Sequence, residues 1–320
     1  MAPMEEDKLR EVFFPHAAER VKDVLEKGLR FAYYTNAETA FRIIKNKEIW
    51  MRGTSTMNDY LEVEHGFECL NAAYKSEAGA RLRRVIDSFH TDLSEEILEF
   101  FNGWLPDIRN LTFIVCLSEH PAEEDQTGRL SMWRAYGGKA GVAIVVNASA
   151  LFLQAEGVGV FASPVAYWTQ AQVEAELARI AERLGNNADG VRAIERERLR
   201  GIVFSMFRFA VLCTKHPGFA EEREWRVIAS PRMYASPLLT PAVEVIGGVP
   251  QPVQKLHLAD IPERNIVGLA LPSLVNRLIL GPCDYPLTVL QALRESLRDA
   301  GVPNPDAVIH VSDIPLRANH

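Results

Sequence analysis

An acidic stretch late in the chain carries the side chains best suited to chemistry. Residues 221–226 read Glu-Glu-Arg-Glu-Trp-Arg. On a strand, Glu222, Glu224 and Arg226 would share one face, because successive side chains alternate between the two sides. Two carboxylates beside a guanidinium could contact a substrate hydroxyl, or they could form a solvated edge held by salt bridges. The spacing supports both interpretations.

A polar loop at 54–65 is a second candidate. It reads Thr-Ser-Thr-Met-Asn-Asp-Tyr-Leu-Glu-Val-Glu-His, which places Asn58, Asp59, Glu62 and two further metal-binding residue types within eight positions. Carboxylates and imidazoles are metal ligands, so a metal site is one interpretation. The other is an ordinary helix start, in which Asn58 or Asp59 caps the helix and the glutamates lie in its first turn.

Aromatic side chains form the third candidate. Residues 132–138 read Met-Trp-Arg-Ala-Tyr-Gly-Gly, which puts Trp133 and Tyr136 on one helical face. Such a pair usually packs into a core, and the alternative is a wall on which a flat ring stacks. Tyr33 and Tyr34 are adjacent on a predicted strand, so they point to opposite faces and at most one of them lines a given cleft.

Hydrophobic spacing and turn residues predict the elements that position these side chains. A helix is expected at 17–27, and Asn36 caps another at 37–45. Two longer segments, 61–104 and 170–213, are each predicted to hold a pair of inserted helices. Further strands are predicted at 29–35, 48–52, 111–117, 141–146, 158–167, 222–229, 253–258, 265–270, 277–280 and 307–311, and a further helix at 286–298.

The order of these elements predicts the fold class. No linker rich in Gly, Ser or Pro divides the chain, and no repeat of fixed period is visible. We therefore predict a single α+β domain over residues 1–320, with a central mixed sheet and the two helical insertions, 61–104 and 170–213.

Composition excludes several classes of protein. With 320 residues, 48% of them apolar and 24% charged, the chain can bury a core and is not predicted to be disordered. A net charge of -7 argues against broad, sequence-independent nucleic-acid binding. No window approaches the roughly 18 apolar residues of a membrane-spanning helix, and the first residues lack the pattern of a signal peptide. We therefore expect a cytoplasmic protein that does not enter a membrane.

Five short motifs follow one another along the chain. They are Tyr-Tyr-Thr at 33–35, Asn-Asp-Tyr-Leu-Glu at 58–62, Cys-Leu-Ser at 116–118, Met-Trp-Arg-Ala-Tyr at 132–136 and Glu-Arg-Glu-Trp-Arg at 222–226. In this order they resemble an uncharacterised, mostly bacterial family, domain of unknown function 2971, over residues 30–285. Tyr33 stands where that family usually has His, and Tyr60 stands where it has Pro. The family name itself implies no activity.

The opening strand, short helix and strand also look like those of ADP-ribosyltransferase-like enzymes. Those enzymes place His or Arg on the first strand, hydroxyls on the next strand and a catalytic Glu late in the domain. Arg30 or the tyrosine pair, the Thr-Ser-Thr run at 54–56, and then Glu222 and Glu224 follow the same order. The resemblance implies a fold of that type, NAD as the substrate, and a role as a toxin or defence effector.

The resemblance also implies roles for individual residues. Glu224 would hydrogen-bond a ribose hydroxyl and stabilise the positive charge that develops as the bond from nicotinamide to ribose breaks. Glu222 would position an acceptor that the sequence does not identify. A nucleotide ligand is expected, with no metal. The other expected ligand-binding residues are Tyr34, Thr54, Ser55, Asn58, Asp59, Glu62, Trp133, Tyr136 and Arg226.

Two other functions remain open. Asp59, Glu62, Glu64 and His65 could hold a divalent metal in a hydrolase or nuclease. Alternatively, aromatic and arginine side chains could clamp a ligand in a sensor or interaction module that performs no chemistry. Metal dependence would identify the first of these functions, and tight binding without turnover would identify the second.

Overall fold

A computed structural model describes residues 4–56, 60–152 and 158–315, without the side chains of residues 60–62. The helices are α1 (Glu6–Phe13), α2 (Pro15–Glu26), α3 (Ala37–Asn46), α4 (Tyr60–Lys75), α5 (Glu77–Asp87), α6 (Leu93–Asn110), α7 (Leu130–Tyr136), α8 (Gln170–Asn186), α9 (Ala188–Arg192), α10 (Arg196–Leu212), α11 (Leu271–Leu274), α12 (Pro286–Asp299) and α13 (Pro305–Val308). The strands are β1 (Arg30–Asn36), β2 (Glu48–Gly53), β3 (Phe113–His120), β4 (Ala140–Val146), β5 (Val160–Pro164), β6 (Ala166–Tyr167), β7 (Thr214–Lys215), β8 (Glu224–Ala229), β9 (Leu239–Ile246), β10 (Val249–His257), β11 (Val275–Cys283) and β12 (Ile309–Val311). The predicted α+β class is confirmed.

The chain folds into two compact units. The helical unit comprises Met1–Asp23, Thr54–Thr112 and Ser163–Ala220, and the sheet unit comprises Val24–Gly53, Phe113–Ala162 and Glu221–His320. Both segments predicted as helical insertions, 61–104 and 170–213, fall in the helical unit. The grouping of the whole chain into a single domain stays a prediction.

The helical unit packs α4, α5, α6, α8 and α10 together through aliphatic and aromatic side chains. The rings of Phe100 and Phe204 meet edge-on at 5.0 Å, and those of Phe101 and Phe207 meet in the same way at 5.8 Å. Edge-to-face contacts of this kind add to the stabilisation from burial alone. None of the helices in the described residues combines the length and the apolar composition that crossing a membrane requires.

The helix boundaries in this unit differ from the sequence prediction in two places. The spacing predicts two helices in 61–104, but three are present, because Ser76 caps α5 by accepting a backbone hydrogen bond from its first turn. The first of the two helices predicted in 170–213 is interrupted after α8, where the Asn187 side chain donates to the Arg183 carbonyl at 2.7 Å. Such side chain to backbone hydrogen bonds compete with continuation of a helix.

The sheet unit is built on one ten-stranded sheet. Its strand order is β12-β11-β4-β1-β3-β2-β10-β9, and β8 pairs with both β3 and β5. Strands β11 and β12 are parallel, whereas β1 is antiparallel to β3 and β4, and β3 is antiparallel to β8. The predicted central mixed sheet is therefore present.

The first face of this sheet is covered by α7. Ala32, Tyr34 and Ile279 of the sheet pack against Met132 and Trp133 of the helix, and all five side chains are buried. Residues paired across antiparallel strands point to the same face of the sheet. Ala32 pairs with Ser118 and Ser118 pairs with Glu224, so all three lie on this first face. The predicted carboxylate therefore lies on the same face as the aromatic helix.

The second face of the sheet carries mainly apolar side chains, together with the Glu119 carboxylate, which accepts the Trp225 indole N–H at 2.8 Å. Phe31 and Trp225 meet edge-on at 5.1 Å, and Phe152 meets Trp225 at 5.5 Å. Tyr33 and Leu117 line a cavity on this side. Tyr33 and its neighbour in β1 therefore point to opposite faces, as the alternation of side chains along a strand predicts.

The sequence prediction misses β9. This edge strand is joined to β10 by a two-residue turn at Gly247 and Gly248, whose φ angles are 60° and 82°. Positive φ at both central residues is the geometry of a type I′ hairpin turn, which glycine adopts without strain. Many β9 side chains are exposed, so the strand lacks the apolar run by which the other strands are recognised.

The strand predicted at 265–270 is not formed. The Asp260 carboxylate accepts the backbone N–H groups of Leu269 and Ala270 at 2.8 and 2.9 Å, and a single bridge joins Ile261 to Ile266. Because a side chain satisfies these backbone donors, the segment does not need a partner strand. The backbone hydrogen bond from Ala270, with those from its neighbours, holds the pKa of Asp260 below its usual value.

Candidate functional site

The predicted site residues divide between the two units. Thr54 and Ser55 lie in a 3-10 helix of the helical unit. Asn58, Asp59 and the side chain of Glu62 lie outside the described residues. The residues that fall in the sheet unit are Tyr34, Trp133, Tyr136, Glu222, Glu224 and Arg226.

The two predicted catalytic carboxylates do not share a strand face, so that part of the prediction is wrong. Strand β8 begins at Glu224, whereas Glu222 ends a 3-10 helix over Pro217–Glu222. Between them, Arg223 has a φ of 46°, in the left-handed region, which breaks the alternation of side chains. Arg129 holds this turn, because its guanidinium donates to the carbonyl of Glu222 at 3.1 Å.

Glu224 forms a buried ion pair with Arg226. The Arg226 Nε lies 2.7 Å from Glu224 Oε1, and the side chains are 3% and 5% exposed. Both lie on the first face of the sheet, where Glu224 is opposite Ser118 and Arg226 is opposite Cys116 on β3. A buried charge is tolerated only when it is paired and hydrogen-bonded, so each side chain fixes the orientation of the other.

Glu222 lies at the rim beside this pair. Its side chain is half-buried, and the Tyr136 hydroxyl lies 3.4 Å from its Oε1. Tyr136 is at the end of α7 and is 40% exposed. The accessible Glu222 carboxylate, two residues before the buried Glu224 carboxylate in the chain, therefore lies next to the accessible Tyr136 phenol.

Trp133 and Tyr34 are core side chains. The Trp133 indole N–H donates to the Thr127 carbonyl at 2.8 Å, and its ring meets that of Tyr34 edge-on at 4.9 Å. A Cβ added at Gly141 or Gly281 would lie 2.8 Å from the indole, so these glycines let the backbone approach the ring. A stacking role for the aromatic residues stays a prediction, and Tyr136 is the more accessible of those on α7.

The Tyr34 hydroxyl joins the aromatic core to a buried arginine. It accepts the backbone N–H of Arg129 at 2.9 Å. Burial, with a contribution from the Glu124 carboxylate, raises the pKa of Tyr34 to about 12. The phenol is therefore protonated at neutral pH and retains a proton that it can donate.

Arg129 organises the loops around the site, and sequence reasoning missed it. Its Nε and one terminal nitrogen donate to the two carboxylate oxygens of Glu124, each at 3.0 Å. The remaining donors reach the carbonyls of Glu119, Glu221 and Glu222. All three guanidinium nitrogens thus have partners, and they tie the end of β3 to the turn before β8. Arg129 lies just before the motif at 132–136, but its contacts with carbonyls more than 90 residues away give no signal in the sequence.

A second polar cluster, centred on His120, was also missed. His120 is fully buried, and its Nε2 lies 3.0 Å from Asp125 Oδ1, which Arg30 also contacts at 2.7 Å. Burial lowers the pKa of His120 despite these acidic neighbours. Burial alone would raise the pKa of Asp125. The hydrogen bonds from Arg30 and His120 outweigh that effect, so the pKa lies below its usual value. The imidazole is therefore neutral at neutral pH.

The predicted metal loop has structural contacts where it is described. The Thr54 hydroxyl donates to the Arg109 carbonyl at 2.7 Å, and the Arg109 side chain pairs with Glu64 at 3.1 Å. His65 Nε2 lies 3.0 Å from the Trp168 carbonyl. Among the side chains that the structure describes, no three of His, Cys, Asp or Glu are grouped so that they could hold a metal ion.

Comparison with known proteins identifies one family. A model described as a protein of unknown function, DUF2971, matches residues 132–227, which include the motifs at 132–136 and 222–226. No curated protein and no solved structure matches the chain. The similarity to ADP-ribosyltransferase-like enzymes stays a prediction. Residues 132–227 are thus similar to the uncharacterised DUF2971 family, as two of the five sequence motifs indicate.

Proposed function

We propose that the sheet unit carries an ADP-ribosyltransferase-like site that uses NAD as its substrate. The observation that supports this proposal is the buried Glu224 carboxylate, held by Arg226 at 2.7 Å at the start of β8. Glu222 lies two residues earlier at the rim of the same turn. A buried, oriented carboxylate next to an accessible one suits a reaction that develops positive charge and then requires a nucleophile.

The reaction breaks the bond between the nicotinamide nitrogen and the ribose carbon. The bonding electrons leave with nicotinamide, and positive charge develops on the ribose. Glu224 accepts a hydrogen bond from a ribose hydroxyl and stabilises that charge. Its burial strengthens the effect, because electrostatic interactions are larger where water is excluded. Arg226 acts as a positioning residue, since it holds the carboxylate in one orientation.

Glu222 serves the acceptor. Its carboxylate takes the proton from the acceptor nucleophile as that group attacks the ribose carbon, and the Tyr136 hydroxyl keeps it in place. Tyr136 is exposed enough to stack on a base or on nicotinamide. The ligand-binding roles of Tyr34 and Trp133 belong to the same proposal, as do action in the cytoplasm and a role as a toxin or defence effector.

Release of nicotinamide from NAD tests this proposal. We expect Glu224→Gln to lower the rate by roughly 100-fold or more, the usual cost of removing one group that stabilises transition-state charge. Glu222→Gln should lower transfer to an added nucleophile more than it lowers hydrolysis. Glu221→Gln is the matched control, because this neighbouring side chain is exposed, and it should retain wild-type activity.

Two outcomes would overturn the proposal. One is a folded wild-type chain that releases no nicotinamide, and the other is a Glu224→Gln variant with full activity. Tight binding of NAD without turnover would favour the non-catalytic ligand-binding module. Activity that a chelator abolishes would favour the metal-dependent hydrolase or nuclease, although Glu64 and His65, two of its four predicted ligands, already contact Arg109 and the Trp168 carbonyl.

A further inference from the structure

The second face of the sheet carries a cavity that the proposed function does not use. It has a volume of about 120 Å³ and lies entirely within the sheet unit. Side chains from β1, β3 and β4 form its floor, among them Leu117 and Ile144. Ile43 of α3 and Val160 of β5 contribute to its walls. The cavity is therefore built from the central strands of the sheet and from the elements that cover them.

The lining is almost entirely aliphatic. Of the described residues around the cavity, all are Val, Leu, Ile or Ala except Tyr33. No charged side chain lines it among these residues. Placing an ionised group in such surroundings without a partner is costly, so the cavity discriminates against charged ligands.

The cavity is more than a gap left by imperfect packing. Several of its large aliphatic side chains, including Ile49, Val160, Val227 and Leu256, are half-buried rather than buried. Apolar surface left uncovered forfeits about 25 cal/mol for each Å². Protein cores seldom contain voids much larger than one water molecule. Apolar cavities on this scale can take up small apolar molecules, as an engineered cavity of about 150 Å³ binds benzene.

Tyr33 supplies one polar group at the wall. Its side chain hydrogen-bonds with Thr35, two residues further along the same face of β1. A phenol has one donor and two acceptor positions, so a contact with Thr35 leaves capacity for one ligand hydroxyl. Burial raises the pKa of Tyr33, so the group is neutral.

We propose that this cavity is a binding site for a small neutral molecule of about six carbon atoms, such as a single ring, that carries one hydroxyl group. The aliphatic side chains contact the carbon skeleton of the ligand, and the Tyr33 hydroxyl forms a hydrogen bond with the ligand hydroxyl. The site is independent of the proposed NAD chemistry, which lies on the first face of the sheet.

Benzene, phenol and benzoate are suitable probes, because they share one ring and differ in polarity and charge. Isoleucine methyl groups report on binding by NMR. We expect saturable shifts of the Ile43, Ile49 and Ile144 methyl signals with benzene and phenol, and none with benzoate. The methyl signals of Ile97 and Ile108, which are buried in the helical unit, should not move.

Variants assign binding to the cavity. Ala150→Leu fills it and should abolish the shifts, whereas Ala148→Leu, in the same 3-10 helix but outside the lining, should bind as the wild type does. Ala162→Leu is a second filling variant from a different element. Tyr33→Phe should weaken phenol binding by about two- to tenfold, which corresponds to one hydrogen bond, and should leave benzene binding unchanged.

Three results would overturn the proposal. They are the absence of saturable shifts at the three cavity isoleucines, shifts of equal size in the helical unit, and unchanged binding after both filling variants. Failure of NAD turnover would leave these measurements unaffected, so the two proposals fail independently.

Discussion

The two faces of the central sheet are made by the same strands, yet they differ in chemistry. On the first face, Tyr34, Ser118 and Glu224 lie beside α7 and a network of charged groups. On the second face, Tyr33 and Leu117, each adjacent in sequence to a first-face residue, line an apolar cavity. Alternation along β1 and β3 separates a polar site from an apolar one by the thickness of a single sheet. A shift of register by one residue would exchange the two environments.

The largest expected effect on stability comes from breaking the buried ion pair of the first face. Arg226→Met leaves the Glu224 carboxylate buried without this partner, and we expect a loss of about 3–5 kcal/mol in the free energy of unfolding. Replacing both residues, as Glu224→Leu with Arg226→Met, should restore much of that loss. Chemical denaturation measures both effects. Arg264→Met, at an exposed arginine, should change the value by less than about 0.5 kcal/mol, and an equally mild effect at Arg226 would contradict the assignment.

A smaller loss of stability should follow from crowding Trp133, which covers part of the first face. Gly281→Ala places a Cβ 2.8 Å from the Trp133 ring, and overpacking of this kind costs about 1–3 kcal/mol. In a Trp133→Leu background, the smaller side chain leaves room for the new Cβ, so Gly281→Ala should lower the free energy of unfolding much less than it does beside Trp133. Gly185→Ala, in α8 with open space around it, is the control and should be neutral or slightly stabilising. Equal costs with and without the tryptophan would contradict the close approach.

A matched pair of alanines compares the faces directly. Ala143 is fully buried on the packed first face, and Ala162 lines the cavity. We expect Ala143→Leu to cost about 1–3 kcal/mol, because it overfills a packed core. Ala162→Leu should be neutral or should stabilise by about 0.5–2 kcal/mol, as cavity-filling substitutions commonly do. Thermal unfolding measures both, and equal destabilisation would show that the second face has no space to fill.

The weakest expected effect is a pH dependence that arises from His120. Its folded-state pKa is lowered by burial, whereas a histidine in the unfolded chain titrates near 6.5. Protonation therefore favours the unfolded chain, and the stabilising contribution is complete above about pH 6.5 and declines as the pH falls towards the folded-state pKa. Between pH 7 and pH 5.5, the wild type should lose more free energy of unfolding than His120→Gln. Parallel losses in both proteins would contradict the assignment.

Local patterns predicted much of the sheet unit. The apolar runs of β3 and β4 and the alternation in β1 were sufficient to place these strands, because burial and side-chain periodicity are encoded over a few residues. The same alternation predicted that Tyr33 and Tyr34 face opposite ways. It failed at Glu222, because a left-handed residue at Arg223 and hydrogen bonds from Arg129 delay the start of β8 to Glu224.

The sequence by itself determined the α+β class, the helical segments at 61–104 and 170–213, and the motifs at 132–136 and 222–226 that are similar to DUF2971. These depend on hydrophobic periodicity and on short runs of residues. Only the tertiary structure decided that Arg129 ties Glu124 to the turn before β8, that His120 is buried beside Asp125, and that an apolar cavity lies behind the sheet. Arg129 and the turn before β8, Arg30 and Asp125, and the strands that line the cavity are far apart in the chain, and a contact between distant residues leaves no periodic signal in the sequence around either partner. Glu124 and Asp125 are each only five residues from the side chain they contact, but those contacts form in a loop, where no periodic pattern predicts them.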